Sequence, residues 1–354
     1  MRLFDLLSRG LGGGPEDTLV EPLSTSESIG LVIKDGPTYK FCHDQIQQAA
    51  YSLIPEEARS SLHLLIARSL HKAASAEEME TSLFVIVDQF NRGAVGIVDA
   101  EEKLQVATLN LRAAKKAIAS STFLAASIYL KLAICFLQEE DWQSNYNLCL
   151  EVYSSCAEVE YVVGTFEDMS LALNEVLEHG RCLDDKLRAF YTLVSAFAAQ
   201  NDLKNAIKTG FDILAELGHP LEDTSDRAAT KRMVMDTKDA VESKDKSFWS
   251  SLPRMSDARK IFTMKFLCLM APYAFIGGGE RLPFIGCRMV QLTMADGLDH
   301  NSPYGFAILA VVFCGFMRNP KQGYQIGKIG KTLLDSFNSK DSSYLARTHA
   351  VLYG

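Results

Sequence analysis

The spacing of apolar residues along this chain changes near Asp44. Before it, Ile29, Leu31, Val32 and Ile33 form a short apolar run broken only by Gly30. Asp35-Gly36-Pro37 then carries turn chemistry, and Tyr39 and Phe41 alternate around Lys40. That pattern predicts a small β-hairpin with strands near 29–34 and 39–41. After Asp44 the period becomes helical. Ile46, Ala49, Ala50 and Leu53 recur at three- and four-residue steps. Pro55, with Glu56 and Glu57 behind it, opens a helix carrying Leu62, Leu65, Ile66 and Leu70. Further helices are predicted over 77–91, 99–119, 122–137, 141–163, 166–178, 184–200 and 203–217. Short breaks of this kind join antiparallel helical pairs. The same period predicts that Phe41, Ile46, Ala50 and Leu53 are buried, clamping the hairpin against the first helices.

Self-similarity points to a stack of such pairs. Residues 157–180 align with 194–217, bringing Gly164-Thr165-Phe166 over Asn201-Asp202-Leu203 and Val176-Leu177 over Ile213-Leu214. A fainter copy turns at Asn319-Pro320-Lys321, with Gly323 in the place of Ala206, where two helices approach closely. The offset is near the ~34 residues of tetratricopeptide-type units, each of which buries its apolar face against the next. The fold class is therefore mainly α: antiparallel hairpins stacked as a tetratricopeptide-like superhelix, with a small, partial winged-helix-like β-hairpin near the start. Four segments follow: 1–54, the hairpin element and its junction; 55–220, helical repeats; 221–252, a polar linker or solvated helix; and 253–354, further repeats. The last segment stops inside a helical pattern and reads as a truncated array.

Composition narrows the function classes. The chain has 354 residues, 47% hydrophobic and 23% charged, which is the make-up of a folded chain rather than a disordered one. A net charge of −8 gives no general basic face for nucleic acid or an anionic membrane surface. The eight cysteines include no CxxC pair and no zinc-finger spacing, so they read as small buried hydrophobes in the reducing cytoplasm. Residues 261–276 contain Lys265 and Pro272, and 304–317 falls short of the ~20 residues needed to span a bilayer. Both are expected to be buried helices, with no membrane partner.

Catalytic constellations do not assemble. Gly327-Lys328-Ile329-Gly330-Lys331-Thr332 comes near a phosphate loop, but Gln325 stands where its first glycine belongs and the preceding residues open a helix rather than end a strand. Gly277-Gly278-Gly279-Glu280-Arg281 lacks a lysine and reads as a turn between helices, and Gly12 to Gly14 as a linker. His43 and Asp44 are adjacent on a helix and point to different sides, which favours a buried histidine and a capping aspartate. His63 and His71 lie two turns apart, too far to share a metal. The expectation is a chain that is not an enzyme, with no catalytic, metal or cofactor residue of its own.

The stretch FCHDQIQQAAYSLIPEEARSSLH, from Phe41 to His63, followed by SLHLLIARSL, resembles the predicted-ATPase family of AAA and STAND-type signal-transduction NTPases. There a nucleotide-binding module leads through a winged-helix-like element and a phenylalanine-x-His-Asp motif into tetratricopeptide-like repeats. Phe41, His43, Asp44, Gln47, Gln48, Ala49, Ala50 and Tyr51 fit the junction motif, and Arg59 and His63 fit the helix after it. FVIVDQFNRG, ATLNLRAAKKAIASSTFLAASIYLKLA, LPRMSDARK and the GYQIGKIGKTLL helix resemble later family segments, so the likeness runs from Ile29 to the end. It implies a non-catalytic scaffold or sensor region of a multidomain protein carrying kinase, histidine-kinase or cyclase domains. ATP and magnesium would belong to an upstream module, and the partners would be proteins or the neighbouring ATPase and kinase domains. Two other readings stay open: a small-molecule-sensing helical domain with an apolar pocket in 262–316, and a winged-helix DNA-binding regulator at the start of the chain.

Overall fold

A computed structural model describes residues 17–35, 38–220, 226–337 and 342–353. Expectations for residues 1–16, for Gly36-Pro37, for 221–225 and for Gly354 lie outside the described residues. Among the described residues helix α1 (Asp17–Ser28) comes first; Pro22 inside it hides it from a pattern search. Strands β1 (Val32–Asp35) and β2 (Thr38–Phe41) pair antiparallel, Val32 opposite Phe41 and Lys34 opposite Tyr39. Thereafter the described chain is helical, apart from a 3₁₀ turn (Ala94–Gly96) and a backbone bridge from Arg254 to Leu298. The helices are α2 (Asp44–Ser52), α3 (Glu56–Ala73), α4 (Ala76–Arg92), α5 (Ala100–Ala119), α6 (Phe123–Phe136), α7 (Asp141–Ser144), α8 (Tyr146–Val163) and α9 (Phe166–His179). They continue as α10 (Leu183–Ala199), α11 (Leu203–Glu216), α12 (Arg227–Glu242), α13 (Lys246–Ser251), α14 (Ala258–Ile276), α15 (Leu282–Asp296), α16 (Ser302–Gly315), α17 (Pro320–Asp335) and α18 (Ser342–Tyr353).

One helix expected over 141–163 is two. The Asp141 carboxylate accepts from the Gln138 N–H at 2.8 Å and from the Asn145 side chain at 3.0 Å, and Asn145 leaves helical geometry at φ −129°, ψ 37°. Short polar side chains compete with the backbone ladder in this way, and periodicity does not register the competition.

The turns inside the helical pairs share one design. Ser121, Gly164, Asn201 and Arg318 each take a left-handed backbone, with φ of 57°, 91°, 62° and 52°. Directly after them stand Thr122, Thr165, Asp202 and Asn319, and then the first residue of α6, α9, α11 or α17. In all four turns the N–H of that second residue reaches back to a carbonyl of the preceding helix: Thr122 to Ala117 at 2.9 Å, Thr165 to Glu160 at 3.0 Å, Asp202 to Phe197 at 2.8 Å and Asn319 to Phe313 at 2.8 Å. This satisfies carbonyls that a helix end leaves without partners. Asp202 and Asn319 go on to cap the Asn205 and Gln322 amides. The aligned triplets of the sequence repeat are thus the same physical turn.

The chain divides into two compact units, residues 1–175 and 176–354. In the first, Leu70, Leu83, Ile86, Phe90 and Val106 form a core where α3, α4 and α5 meet. The second is built on Phe266, Phe306, Phe313 and Leu214, all fully buried. The polar stretch after residue 221 contributes to that second core. Val234, Thr237 and Val241 of α12 and Trp249 of α13 are buried there, so the few apolar residues at helical spacing form a packed face.

Candidate functional site

Helix α2 starts at His43. The backbone of His43 is extended at φ −153°, ψ 144°, and its Nδ1 accepts the Gln45 N–H at 3.1 Å. The histidine is therefore the exposed cap, and Asp44 sits in the first turn, where its charge complements the positive helix end. This reverses the roles expected for the pair: the extended residue is the one that can cap. Gln47, Gln48, Ala49 and Ala50 follow on α2, all exposed.

The expected clamp is absent. Among the described residues no side chain of α2 is buried, Ile46 is half-buried, Phe41 is 44% exposed and Leu53 84%. Amphipathic spacing records that a face is apolar, and no described residue covers this one. Instead the face borders a groove of about 610 Å³ lined by Phe41, Gln47, Gln48, Ala50, Tyr51, Ile54 and Arg92.

Three of the expected junction residues do meet. The Tyr51 hydroxyl lies 2.9 Å from His63 Nε2, and His63 Nδ1 lies 2.7 Å from the Gln89 side-chain oxygen. With Gln89 accepting, the proton of His63 sits on Nδ1 and Tyr51 donates to Nε2. Arg59 covers the Tyr51 ring at 4.9 Å and donates through Nε to the Ile54 carbonyl at 3.1 Å. His63 is buried on α3, and both its ring nitrogens are engaged by neighbours. A polar relay thus joins α2, α3 and α4.

Gln89 escaped the reading of the chain, as did Arg92, although both lie in the FVIVDQFNRG segment. Arg92 also lines a second groove of about 390 Å³ with Asp88, Asn91, Ile128 and Tyr129. Tyr129 donates to Asp88 at 3.0 Å, and burial, followed by that bond, pushes its hydroxyl up to about 12. Asn91 and Asn110 exchange amide hydrogen bonds at 2.9 Å in both directions. Only pairing across helices reveals these residues, and their spacing carries no signal of it.

In the second unit the Gly327–Thr332 near-motif lies wholly inside α17. Its backbone amides belong to a helix, and Lys331 pairs with Asp335 at 3.1 Å one turn on. Gly323 and Gly330 are packing positions: a Cβ would stand 2.8 Å from the Ala310 carbonyl oxygen at the first and 2.9 Å from Phe306 Cβ at the second. Gly278 and Gly279, at φ 109° and 78°, form the turn from α14 to α15. Between α14, α15 and α16, where an apolar pocket was one of the open readings, Phe266, Met264, Met289 and Phe306 fill the interior. A cavity of about 420 Å³ does open beside them, lined by Phe275, Leu282, Pro283, Val312 and Phe316 with Arg227 and Thr230, and a groove of about 600 Å³ runs along α16, α17 and α18.

Among the described residues no group of His, Cys, Asp and Glu side chains is placed to hold a metal, and no helix is long and apolar enough to cross a membrane. All eight cysteines are free thiols, with Cys149, Cys156, Cys268 and Cys287 buried and the others exposed. Burial pushes Cys156 and Cys287 up to about 12, away from thiolate reactivity.

No family model matches the chain, and no solved structure matches it. It is similar to hybrid signal transduction histidine kinase G of Dictyostelium discoideum, 22% identical over 352 residues that cover 85% of this chain. The chain spans about 10% of that relative's length.

Proposed function

We propose that this chain is the non-catalytic helical-repeat region of a multidomain signalling protein of the AAA/STAND predicted-ATPase type, and that it relays the position of a neighbouring ATPase or kinase domain through α2. One observation supports this reading above the others: α2 presents an apolar face to solvent while the Tyr51–His63–Gln89 relay ties it to α3 and α4. The occupant of that face is a neighbouring domain of the same polypeptide, in keeping with a relative of which this stretch spans about a tenth. The chain itself would need neither ATP nor magnesium.

DNA binding by a winged helix is the weaker reading, because α2, DQIQQAAYS, carries no lysine or arginine to meet phosphate. Hydrogen exchange tests the proposal, comparing the chain alone with the same chain joined to the segments that flank it in its gene. The α2 amides should exchange fast alone and slow down in the longer protein, and Leu53→Asp should restore fast exchange. Equal rates in both proteins, or flanking segments with no nucleotide-binding or kinase module, would sink the idea.

A further inference from the structure

The groove of about 600 Å³ along α16, α17 and α18 is apolar for most of its length and basic at one end. Pro320, Tyr324, Lys328 and Lys331 follow one another on the face of α17 that borders it, a span of about 16 Å at the helical rise. Val311 of α16 and Leu352 of α18 supply apolar walls. Tyr324 is 73% exposed, and among the described residues the Lys328 ammonium has no carboxylate partner. Lys331 holds Asp335 in an exposed pair one turn apart, a kind of contact a ligand carboxylate can share, since the ammonium carries three donors.

The glycines add a second observation. Gly323 and Gly330 are dictated by helix packing, because a Cβ at either would run into α16. Gly327, between them on the same helix, is not. A Cβ there would make ordinary contacts, 3.5 Å from Leu352 and 3.6 Å from Ala310. Packing would accept alanine at 327, which would also favour the helix, so its bareness leaves the groove floor open rather than closing a helix contact.

We propose that this groove binds a monomeric anionic amphiphile: a carboxylate of the fatty-acid class seated at Lys328 and Lys331, its acyl chain lying between Val311, Tyr324 and Leu352. Apolar walls supply the affinity and the two cations fix the orientation of the ligand. This goes beyond the relay reading and does not depend on it.

Calorimetric titration of the whole chain with sodium dodecanoate, below its micelle concentration, tests the proposal. Saturable binding of one equivalent is expected, with Kd on the order of micromolar for a buried chain of that length. Methyl dodecanoate, and the double variant Lys328→Glu/Lys331→Glu with dodecanoate, should each bind about tenfold more weakly, as two exposed charge contacts warrant. Gly327→Leu should abolish binding while leaving the circular dichroism spectrum and melting of the chain intact, because only atoms beyond Cβ enter the groove. Equal affinity for acid and ester, unchanged binding by Gly327→Leu, or no saturation would overturn the proposal. So would tight binding of anionic phosphatidylserine vesicles or of an acidic leucine-rich peptide by a chain that ignores dodecanoate.

Discussion

Within residues 1–175, contacts between helices repeatedly run through buried polar groups. His63 links α2, α3 and α4; Asn110 is fully buried against Asn91; Glu160, also fully buried, accepts from Ser127 at 2.5 Å and from Thr165, with Lys131 at 3.3 Å. Within residues 176–354 polar links between helices also occur, Thr293 to Ser302 at 2.8 Å and Gln291 to Thr237 at 2.9 Å, but there glycines set the closest approaches of one helix to another. A Cβ at Gly210 would lie 2.1 Å from Met270 Sδ, at Gly286 2.9 Å from Ile308, and at Gly305 2.5 Å from Met289 Cβ. The first unit uses that device too, at Gly93 and Gly96 against Leu64. Polar pins fix register by geometry, because a slip leaves a buried donor or acceptor unmet. Glycine contacts fix it by shape, because the backbones meet only where both surfaces are bare.

Both modes can be followed separately. The chain has two tryptophans, Trp142 in the first unit and Trp249 in the second. Replacing one by phenylalanine leaves fluorescence that reports on the other unit. The largest effect is expected for Gly305→Val. Met289 Cβ is fixed to the α15 backbone and cannot swing aside, so α15 and α16 must separate, at a cost of about 3 kcal/mol. Denaturation followed at Trp249 should shift and that followed at Trp142 should not. A variant that unfolds at the parent's denaturant concentration would show that the close approach of α15 and α16 is not what holds them.

Next in size is His63→Leu. It leaves the half-buried Gln89 amide without its imidazole partner, a loss of about 1–2 kcal/mol read at Trp142. Tyr51→Phe alone should cost less, since that hydroxyl can meet water. The double variant should cost less than the sum, as groups sharing one network do. Strict additivity would mean that the relay is no network.

A polar contact in the second unit predicts a dependence on pH. His219 accepts from Arg288 Nε at 2.8 Å, and Arg288 also reaches Gln291, which donates to Thr237. Burial, and then the neighbouring guanidinium, lowers His219 from 6.5 to about 4. The folded form thus resists a proton that the unfolded chain accepts. Its contribution to stability is fully present above pH 6.5 and is lost as the pH falls from there toward 4. After allowance for solvent screening the loss is on the order of 1 kcal/mol. His219→Gln should flatten that part of the stability profile; an unchanged slope between those pH values would remove His219 as its source.

Smaller still is the effect of Ala50→Glu. With Ala50 exposed on α2, the isolated chain should change by no more than about 0.5 kcal/mol. A large loss of stability would restore the buried clamp that the periodicity of α2 predicts.

That case marks where sequence stops being informative. The helical pairs were legible because apolar spacing and turn residues are local, and Gly164, Asn201 and Asn319 announce their turns. Ser121 and Arg318 adopt the same left-handed geometry without a residue type that advertises it. Tyr51, Arg59 and His63 were named among the junction residues by resemblance alone, and Gln89, which meets His63, lies on another helix where spacing cannot reach. The capping role of His43 depends on one backbone angle, and the groove of α16 to α18 depends on which glycines are pressed and which are not. Those are three-dimensional quantities that a one-dimensional pattern does not carry.

The smallest expected effect is none, and it concerns the glycine-rich helix in which the second unit comes nearest to a known chemical motif. A phosphate loop binds by wrapping free backbone amides around an anion, with its lysine released to reach it. In α17 the amides are committed to a helix, Gly323 and Gly330 are pressed against α16, and Lys331 pairs with Asp335. Calorimetry with ATP and magnesium should therefore show no saturable heat for the parent chain, and Lys331→Ala should leave that result as it is. Micromolar binding abolished by Lys331→Ala would mean that α17 unwinds around a nucleotide. Glycine contacts in the second unit would then be a switch rather than a fixed packing device, and the contrast with the polar pins of the first would have to be redrawn.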